Sequence, residues 1–133
     1  MAEVSVHIET EINQTESEEK LMTALTNILS NASITIKTEG KTKILNADAK
    51  GQESLSKLRT LMRNDRVRDA SRKALFRSTT GNTISFCLNK QVAFAGHVSF
   101  CEETAESPLG PLKITIETDY PQQLIEWLAE KSS

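Results

Sequence analysis

The sequence predicts an α+β domain in which an antiparallel or mixed sheet carries helices packed on one face. Segments with a period of two alternate with segments whose apolar residues recur at helical spacing, which indicates both strands and helices. Several strands follow one another with only a turn between them, whereas a doubly wound parallel sheet needs strict alternation of strands and helices. The 133 residues, 38% of them hydrophobic, are typical of one globular domain spanning residues 1–133.

The first part of the chain has the pattern of a strand, a helix and a hairpin. Apolar residues at positions 4, 6, 8 and 12 alternate with polar ones, which is typical of a strand with one buried face. Thr15 and Glu18 have the spacing of a capping box, and the helix that they begin should reach about residue 31. Residues 33–39 and 42–49 are rich in Ile and Thr and flank Gly40, which predicts a hairpin.

Two successive helices are predicted between residues 53 and 77. The apolar side shifts midway, so Asn64 should end the first helix and Asp65 should cap the second. A turn at residues 80–82 then leads into a strand at 84–88, and residues 89–96 allow one helical turn. A strand near Val98, a proline-shaped loop at 107–111, a strand at 112–116 and a helix from Pro121 complete the order βαββααβββα.

The sequence indicates a cytoplasmic protein with reduced thiols. No stretch approaches the roughly 20 consecutive apolar residues that a membrane span needs, and the first residues lack the apolar block of a signal peptide. Cys87 and Cys101 are the two cysteines, too few for a disulfide framework. Both fall on outward positions of predicted strands, so they are candidate neighbours across the sheet.

No catalytic or metal-binding pattern is recognisable in the sequence. His7 and His97 stand without a second His, Cys or carboxylate at ligand spacing. Glu16, Glu18 and Glu19 lie at a predicted helix start, where negative charge favours the helix dipole. No glycine-rich phosphate loop is present. We therefore expect a protein that is not an enzyme and that carries no cofactor or metal.

Positive charge is concentrated in residues 57–77. The formal net charge of the chain is −2. This segment holds eight basic and two acidic side chains, a local charge of +6, whereas the rest holds eight basic and sixteen acidic side chains, a charge of −8. The basic residues are Lys57, Arg59, Arg63, Arg66, Arg68, Arg72, Lys73 and Arg77. Their helical spacing predicts a cationic surface on two helices, and planar guanidinium groups suit phosphate contacts.

Other interpretations of the same segment stay open. The helices can present an ordinary solvated face, with Asp65 and Asp69 paired to neighbouring arginines. They can also form a protein-interaction or self-association module that meets an acidic surface. Aromatic residues make up 5% of the chain, and without an RNP-like strand motif base stacking on the sheet is not expected. Exposed strand edges favour a symmetric homodimer.

Several segments resemble a small, uncharacterised archaeal protein family described as RNA-binding. They are LRTLMR at 58–63, RVRDASR at 66–72, GN at 81–82, LNKQVA at 88–93, SPLGP at 107–111 and IEWLA at 125–129. The resemblance implies a fold similar to that of the ribosomal protein that binds 5S ribosomal RNA. It implies no catalytic residue. Arg68 stands where family members commonly carry an aliphatic residue, so this chain has one additional cation.

The predicted partner is RNA, either ribosomal or another structured RNA, contacted through phosphates and shape. The resemblance implies that Arg59, Arg63, Arg66, Arg72, Asn89, Lys90 and Gln91 face the RNA, because they match the family's motif positions. The basic segment adds Arg68, Lys73 and Arg77 to these candidates. For Asn89 and Gln91 a structural alternative applies, because polar residues at a strand end often cap a short helix or bond to the loop backbone.

Overall fold

A computed structural model describes residues 4–13, 17–64, 68–101 and 111–130 of the chain. The strands within these residues are β1 (Val4–Ile12), β2 (Ser33–Glu39), β3 (Thr42–Lys50), β4 (Thr79–Thr80), β5 (Thr83–Asn89), β6 (Phe100–Cys101) and β7 (Pro111–Thr118). The helices are α1 (Glu18–Ile28), α2 (Ser56–Asn64), α3 (Arg68–Arg77), α4 (Lys90–Phe94) and α5 (Pro121–Leu128), and a short 3₁₀ turn precedes α2 at Gln52–Leu55.

The strands form one sheet in which every pair is antiparallel. Their order is β2-β3-β1-β7-β5-β4, and β6 pairs with β5 beside β4. The sheet therefore has the seven-residue strand β2 at one edge and, at the other, the two-residue β4 and the two described residues of β6. This arrangement confirms the predicted α+β class with an antiparallel sheet.

The core lies on one face of this sheet, because alternate residues of each central strand are buried. In β1, Val4, Val6 and Ile8 are buried, whereas Glu9 and Glu11 point to the other face and are exposed. The helices cover the buried face with apolar side chains that join the same core: Leu21, Leu25, Ile28, Leu58, Met62, Leu75, Leu124, Ile125 and Leu128. None of the helices in the described ranges is long and apolar enough to cross a membrane.

The predicted order of elements is confirmed, and α4 is the helical turn predicted within residues 89–96, whereas the two-residue β4 and the 3₁₀ turn are additions. α1 begins later than predicted, because its N-cap is Ser17, whose hydroxyl accepts a hydrogen bond from the Lys20 backbone N–H at 3.3 Å. Thr15, the predicted cap, lies outside the described residues. α5 begins at Pro121, as predicted, and α2 is described as far as Asn64, so the predicted end of that helix stays a prediction. Asp65 and the loop at 107–110 also lie outside the described residues.

The register of β5 and β6 places Cys87 directly opposite Cys101. The sequence had suggested that these two positions are neighbours across the sheet, and the register confirms it. Neither cysteine was predicted to be catalytic or to bind a metal, so this pairing concerns the fold alone.

Candidate nucleic-acid interface

The basic segment lies in α2 and α3, which pack beside the C-terminal helix. α2 buries Leu58 and Met62, so Arg59 and Arg63, each one position further along, lie at the border of its buried side. Both α2 and α3 contact α5, and they contact each other. Several arginines of the segment therefore approach α5 and not open solvent.

Arg59 is anchored on the C-terminal end of α5. Its Nε–H donates to the Trp127 carbonyl at 2.9 Å, and its Nη2 donates to Glu130 Oε1 at 2.9 Å. The guanidinium also lies over the Trp127 ring, 5.2 Å from its centroid. The last carbonyls of a helix have no partner within the helix, and a cation there complements the helix dipole. The last turn of α5 has no basic residue of its own, so Arg59 of α2 supplies this charge.

Arg72 is held by the same helix one turn earlier. Its guanidinium forms a bidentate pair with the Glu126 carboxylate, with one N–O distance of 2.6 Å, and it lies 5.1 Å from the centroid of the Phe76 ring. The hydrogen bond to Glu126 raises the pKa of Arg72, and the negative charges of Glu126 and Asp69 act in the same direction. Arg72 is therefore a permanently charged link between α3 and α5.

Arg63 is held more loosely than Arg59 and Arg72. Its Nη2 lies 3.5 Å from Glu130 Oε2, and half of the side chain is exposed. Exposed ion pairs at such distances contribute little to stability. Arg63 is therefore available to exchange this carboxylate for another anion.

The described ion pairs of Arg59, Arg63 and Arg72 are made with the closing helix. The predicted pairing of Asp65 and Asp69 with neighbouring arginines stays a prediction, because Asp65 lies outside the described residues. The carboxylates that pair with these three arginines are Glu126 and Glu130, and the charge of Asp69 also raises the pKa of Arg72. Sequence reasoning missed this role of the closing helix. A signal was present, since Glu126 and Glu130 are four residues apart, as are Arg59 and Arg63.

The C-terminal half of α3 presents the open part of the basic surface. Lys73 and Arg77, four residues apart, are exposed, and neither forms an ion pair with another described residue. Arg77 borders a cleft of about 610 Å³ that is also lined by Ser78 and Ser85. Arg77 and the Ser85 hydroxyl provide donors for an anionic ligand at this cleft.

The remaining candidates of the basic segment are less fully described. Lys57 is exposed, and its Nζ donates to the Thr26 carbonyl of α1 at 2.8 Å. Arg66 lies outside the described residues. Arg68 is the first residue of α3, and its side chain is likewise outside the description.

The strand-end candidates have structural contacts of their own. Asn89 is the N-cap of α4 and accepts a hydrogen bond from the Val92 backbone N–H at 3.0 Å, which is the structural alternative that the sequence had offered. Lys90 is only 4% exposed, and its Nζ donates to the Glu11 carbonyl at 2.5 Å. Gln91 is exposed. The structure thus leaves Gln91 at the surface but directs Lys90 into the protein.

The histidine and carboxylate side chains form no further candidate site within the described residues. His7 Nδ1 lies 2.8 Å from Asp48 Oδ1 on the open face of the sheet, where both side chains are largely solvated. Within the described residues, no three His, Cys, Asp or Glu side chains are grouped so that they could hold a metal ion.

The chain matches the model of a protein family described as RNA binding. The model of this family matches residues 5–118, and the chain therefore belongs to it. Within archaea, the chain belongs to the UPF0201 proteins. It is 42% identical to a UPF0201 protein of Sulfurisphaera tokodaii over 126 residues, which are 95% of this chain and 87% of the relative. It is 38% identical to one of Sulfolobus acidocaldarius, over 96% of this chain and 88% of the relative.

Solved structures show the same fold. A UPF0201 protein from Methanococcus jannaschii superposes with a TM-score of 0.84 at 26% identity, covering 97% of this chain and 95% of that one. A DUF54 protein from Methanothermobacter thermautotrophicus has a TM-score of 0.62 at 18% identity, covering 95% and 92%. The second similarity concerns the fold alone. The expected likeness to the ribosomal protein that binds 5S ribosomal RNA stays a prediction.

Proposed function

We propose that the protein binds structured RNA, ribosomal or other, through the exposed cations of α2 and α3. The observation that carries this proposal is the coincidence of two facts. The family described as RNA binding covers these helices, and the same helices hold the +6 segment of a chain that is otherwise acidic. Phosphate neutralisation by Lys and Arg supplies most of the sequence-independent affinity for nucleic acid.

The contacts with α5 divide the basic residues into two groups. Arg59 and Arg72 are committed to Glu130 and Glu126 and fix the angle between the helices. Lys73 and Arg77 are exposed and face solvent, and their positions are about 6 Å apart along the helix axis. We assign phosphate contacts to Lys73 and Arg77, with Arg63 as a third cation that can exchange its long contact to Glu130. Arg66 and Arg68 remain candidates from the sequence alone, because Arg66 and the side chain of Arg68 lie outside the described residues.

The cleft beside Arg77 supports RNA as the ligand class. Ser85 contributes a hydroxyl group to its lining, and a hydroxyl can donate to phosphate or bond to a ribose 2′-OH. The Ser78 hydroxyl already donates to the Ala74 carbonyl at 2.7 Å, so it can only accept a hydrogen bond from the ligand. A protein-interaction role for the arginines has less support, because two acidic side chains of the same chain, Glu126 and Glu130, already meet them.

Fluorescence anisotropy with a labelled hairpin RNA tests the proposal. The variant Lys73→Gln/Arg77→Gln removes two proposed phosphate contacts without touching the arginines held by α5. Its log K against log salt should have a slope shallower by roughly 1.4 to 1.8, at 0.7 to 0.9 per phosphate. The matched control is Lys37→Gln/Lys41→Gln, which removes two exposed cations from the β2–β3 hairpin.

Three outcomes decide the question. A shallower slope in the α3 variant with a wild-type slope in the control supports the assignment. If the slope becomes equally shallow in both variants, RNA affinity depends only on the net charge of the protein, and α3 is not the interface. A wild-type protein that binds neither the hairpin nor RNA recovered from cell extract, at low salt, overturns the proposed function itself.

A further inference from the structure

The strand β2 leaves one edge of the sheet open. β2 pairs with β3 along its full length, and no described residue pairs with its other side. At the opposite edge of the sheet, β4 is two residues long, and β6 is described over two residues. A long unpaired edge presents a row of backbone N–H and C=O groups that can pair with another strand.

The hairpin defines which backbone groups face this open edge. Glu39 and Thr42 are opposite each other and enclose a two-residue loop in which Gly40 has a φ of 63°. The two residues that close a two-residue loop form backbone hydrogen bonds with each other. Along an antiparallel pair, residues that form such hydrogen bonds with the partner strand alternate with residues that do not. The N–H and C=O groups of Ile34, Ile36 and Thr38 therefore point away from β3.

An apolar surface flanks the same edge on the helix side of the sheet. Ile36 is 39% exposed, and Met22 of α1 is 37% exposed. Between α1 and β2 lies a cleft of about 490 Å³ lined by Leu25, Leu29 and Ile34. Met22 precedes Leu25 by three residues and Leu29 by seven, so it lies on the side of α1 that borders this cleft.

We propose that a second copy of this chain pairs with β2 across a two-fold axis at Ile36, so that two sheets become one. In this register Ile36 pairs with its own counterpart, Ile34 with Thr38, Thr35 with Lys37 and Ser33 with Glu39. Each outward-facing backbone group then meets a complementary group, and no two like charges are directly opposite. A strand that satisfies its own edge in this way fits an isologous interface, the commonest kind in homo-oligomers.

The same axis also explains the exposed side chains of α1. A two-fold axis perpendicular to the sheet keeps the helix layers of both copies on one face, so the two Met22 side chains approach each other above the new strand pair. Ile36 and Met22 of both chains would then leave water together, which is the main favourable contribution to association. The interface is small, so a dissociation constant in the micromolar range is expected.

Sedimentation equilibrium and light scattering of the RNA-free protein test this dimer. The wild type should have the mass of two chains at concentrations above the dissociation constant. The variant Ile36→Lys places two ammonium groups opposite each other at the axis and should raise the dissociation constant at least about 100-fold. The control Thr80→Lys puts the same charge on exposed β4 at the other edge and should leave dimerisation unchanged. Circular dichroism and the melting temperature establish that each variant is folded.

Met22→Lys is a second test of the proposed dimer, because Met22 lies on α1 and its replacement leaves β2 unchanged. It should weaken the dimer by at least about tenfold. A wild-type protein that stays monomeric at several hundred micromolar overturns the inference. So does a dimer that both variants leave intact, or that Thr80→Lys disrupts as strongly as Ile36→Lys. None of these outcomes depends on RNA binding, so the proposed function is tested separately.

Discussion

Replacement of Arg59 by Ala should destabilise the protein far more than replacement of Arg63. Arg59 donates to the Trp127 carbonyl, pairs with Glu130 and lies over an indole ring, and its side chain is only 27% exposed. A hydrogen bond from a charged donor is worth about 1.5–3 kcal/mol, a cation–π contact about 0.5–1 kcal/mol, and a half-exposed ion pair at most about 1 kcal/mol. Because these contacts overlap, we expect Arg59→Ala to lower the free energy of unfolding by about 2–3 kcal/mol.

Urea denaturation at neutral pH, followed by circular dichroism, measures this loss. Arg63→Ala is the matched control, because it removes the same kind of side chain one helical turn away but only a 3.5 Å contact. The control should change stability by less than about 0.5 kcal/mol. Arg59→Lys keeps the charge but not the planar guanidinium group. Its loss in free energy of unfolding should lie between those of Arg59→Ala and Arg63→Ala. Equal losses for Arg59→Ala and Arg63→Ala would refute the anchor on α5.

Two further substitutions test the assignments of buried polar groups. Lys90→Ala should lower the free energy of unfolding by about 1–3 kcal/mol, because it leaves the Glu11 carbonyl without its donor, and RNA affinity should not change. If Lys90→Ala instead lowers RNA affinity and leaves the free energy of unfolding unchanged, Lys90 belongs to the RNA interface. Ser71 has a buried hydroxyl without a hydrogen-bond partner among the described residues, so Ser71→Ala should keep or raise stability. A loss above about 1 kcal/mol in thermal or urea unfolding would show that this hydroxyl has a partner.

Much of the fold follows from local patterns in the sequence. Alternation in β1, the hairpin around Gly40 and the proline that begins α5 are short-range signals, and each marks the element where the structure has it. The N-cap of α1 is less well determined, because Thr15 and Ser17 both precede acidic residues and both residue types cap helices. β4 was not predicted, since two residues are too few to show a period.

The interface was harder to predict because its contacts join distant parts of the chain. Arg59 and Trp127 are 68 positions apart, and their contact depends on how α2 and α5 pack on the sheet. The sequence marked the basic segment but could not separate the arginines that hold α5 from the cations that face solvent. Lys90 shows the same difficulty, because lysine is usually exposed, and only the position of β1 explains its burial.

Photo-crosslinking to RNA tests the central claim most directly. The protein is irradiated with its RNA, digested, and the modified residues are located by mass spectrometry. The proposed interface predicts adducts within residues 63–78, and it predicts that Lys73→Gln/Arg77→Gln loses them whereas Lys37→Gln/Lys41→Gln does not. Adducts concentrated on the open face of the sheet or on the β2–β3 hairpin, with none in α2 or α3, would contradict it.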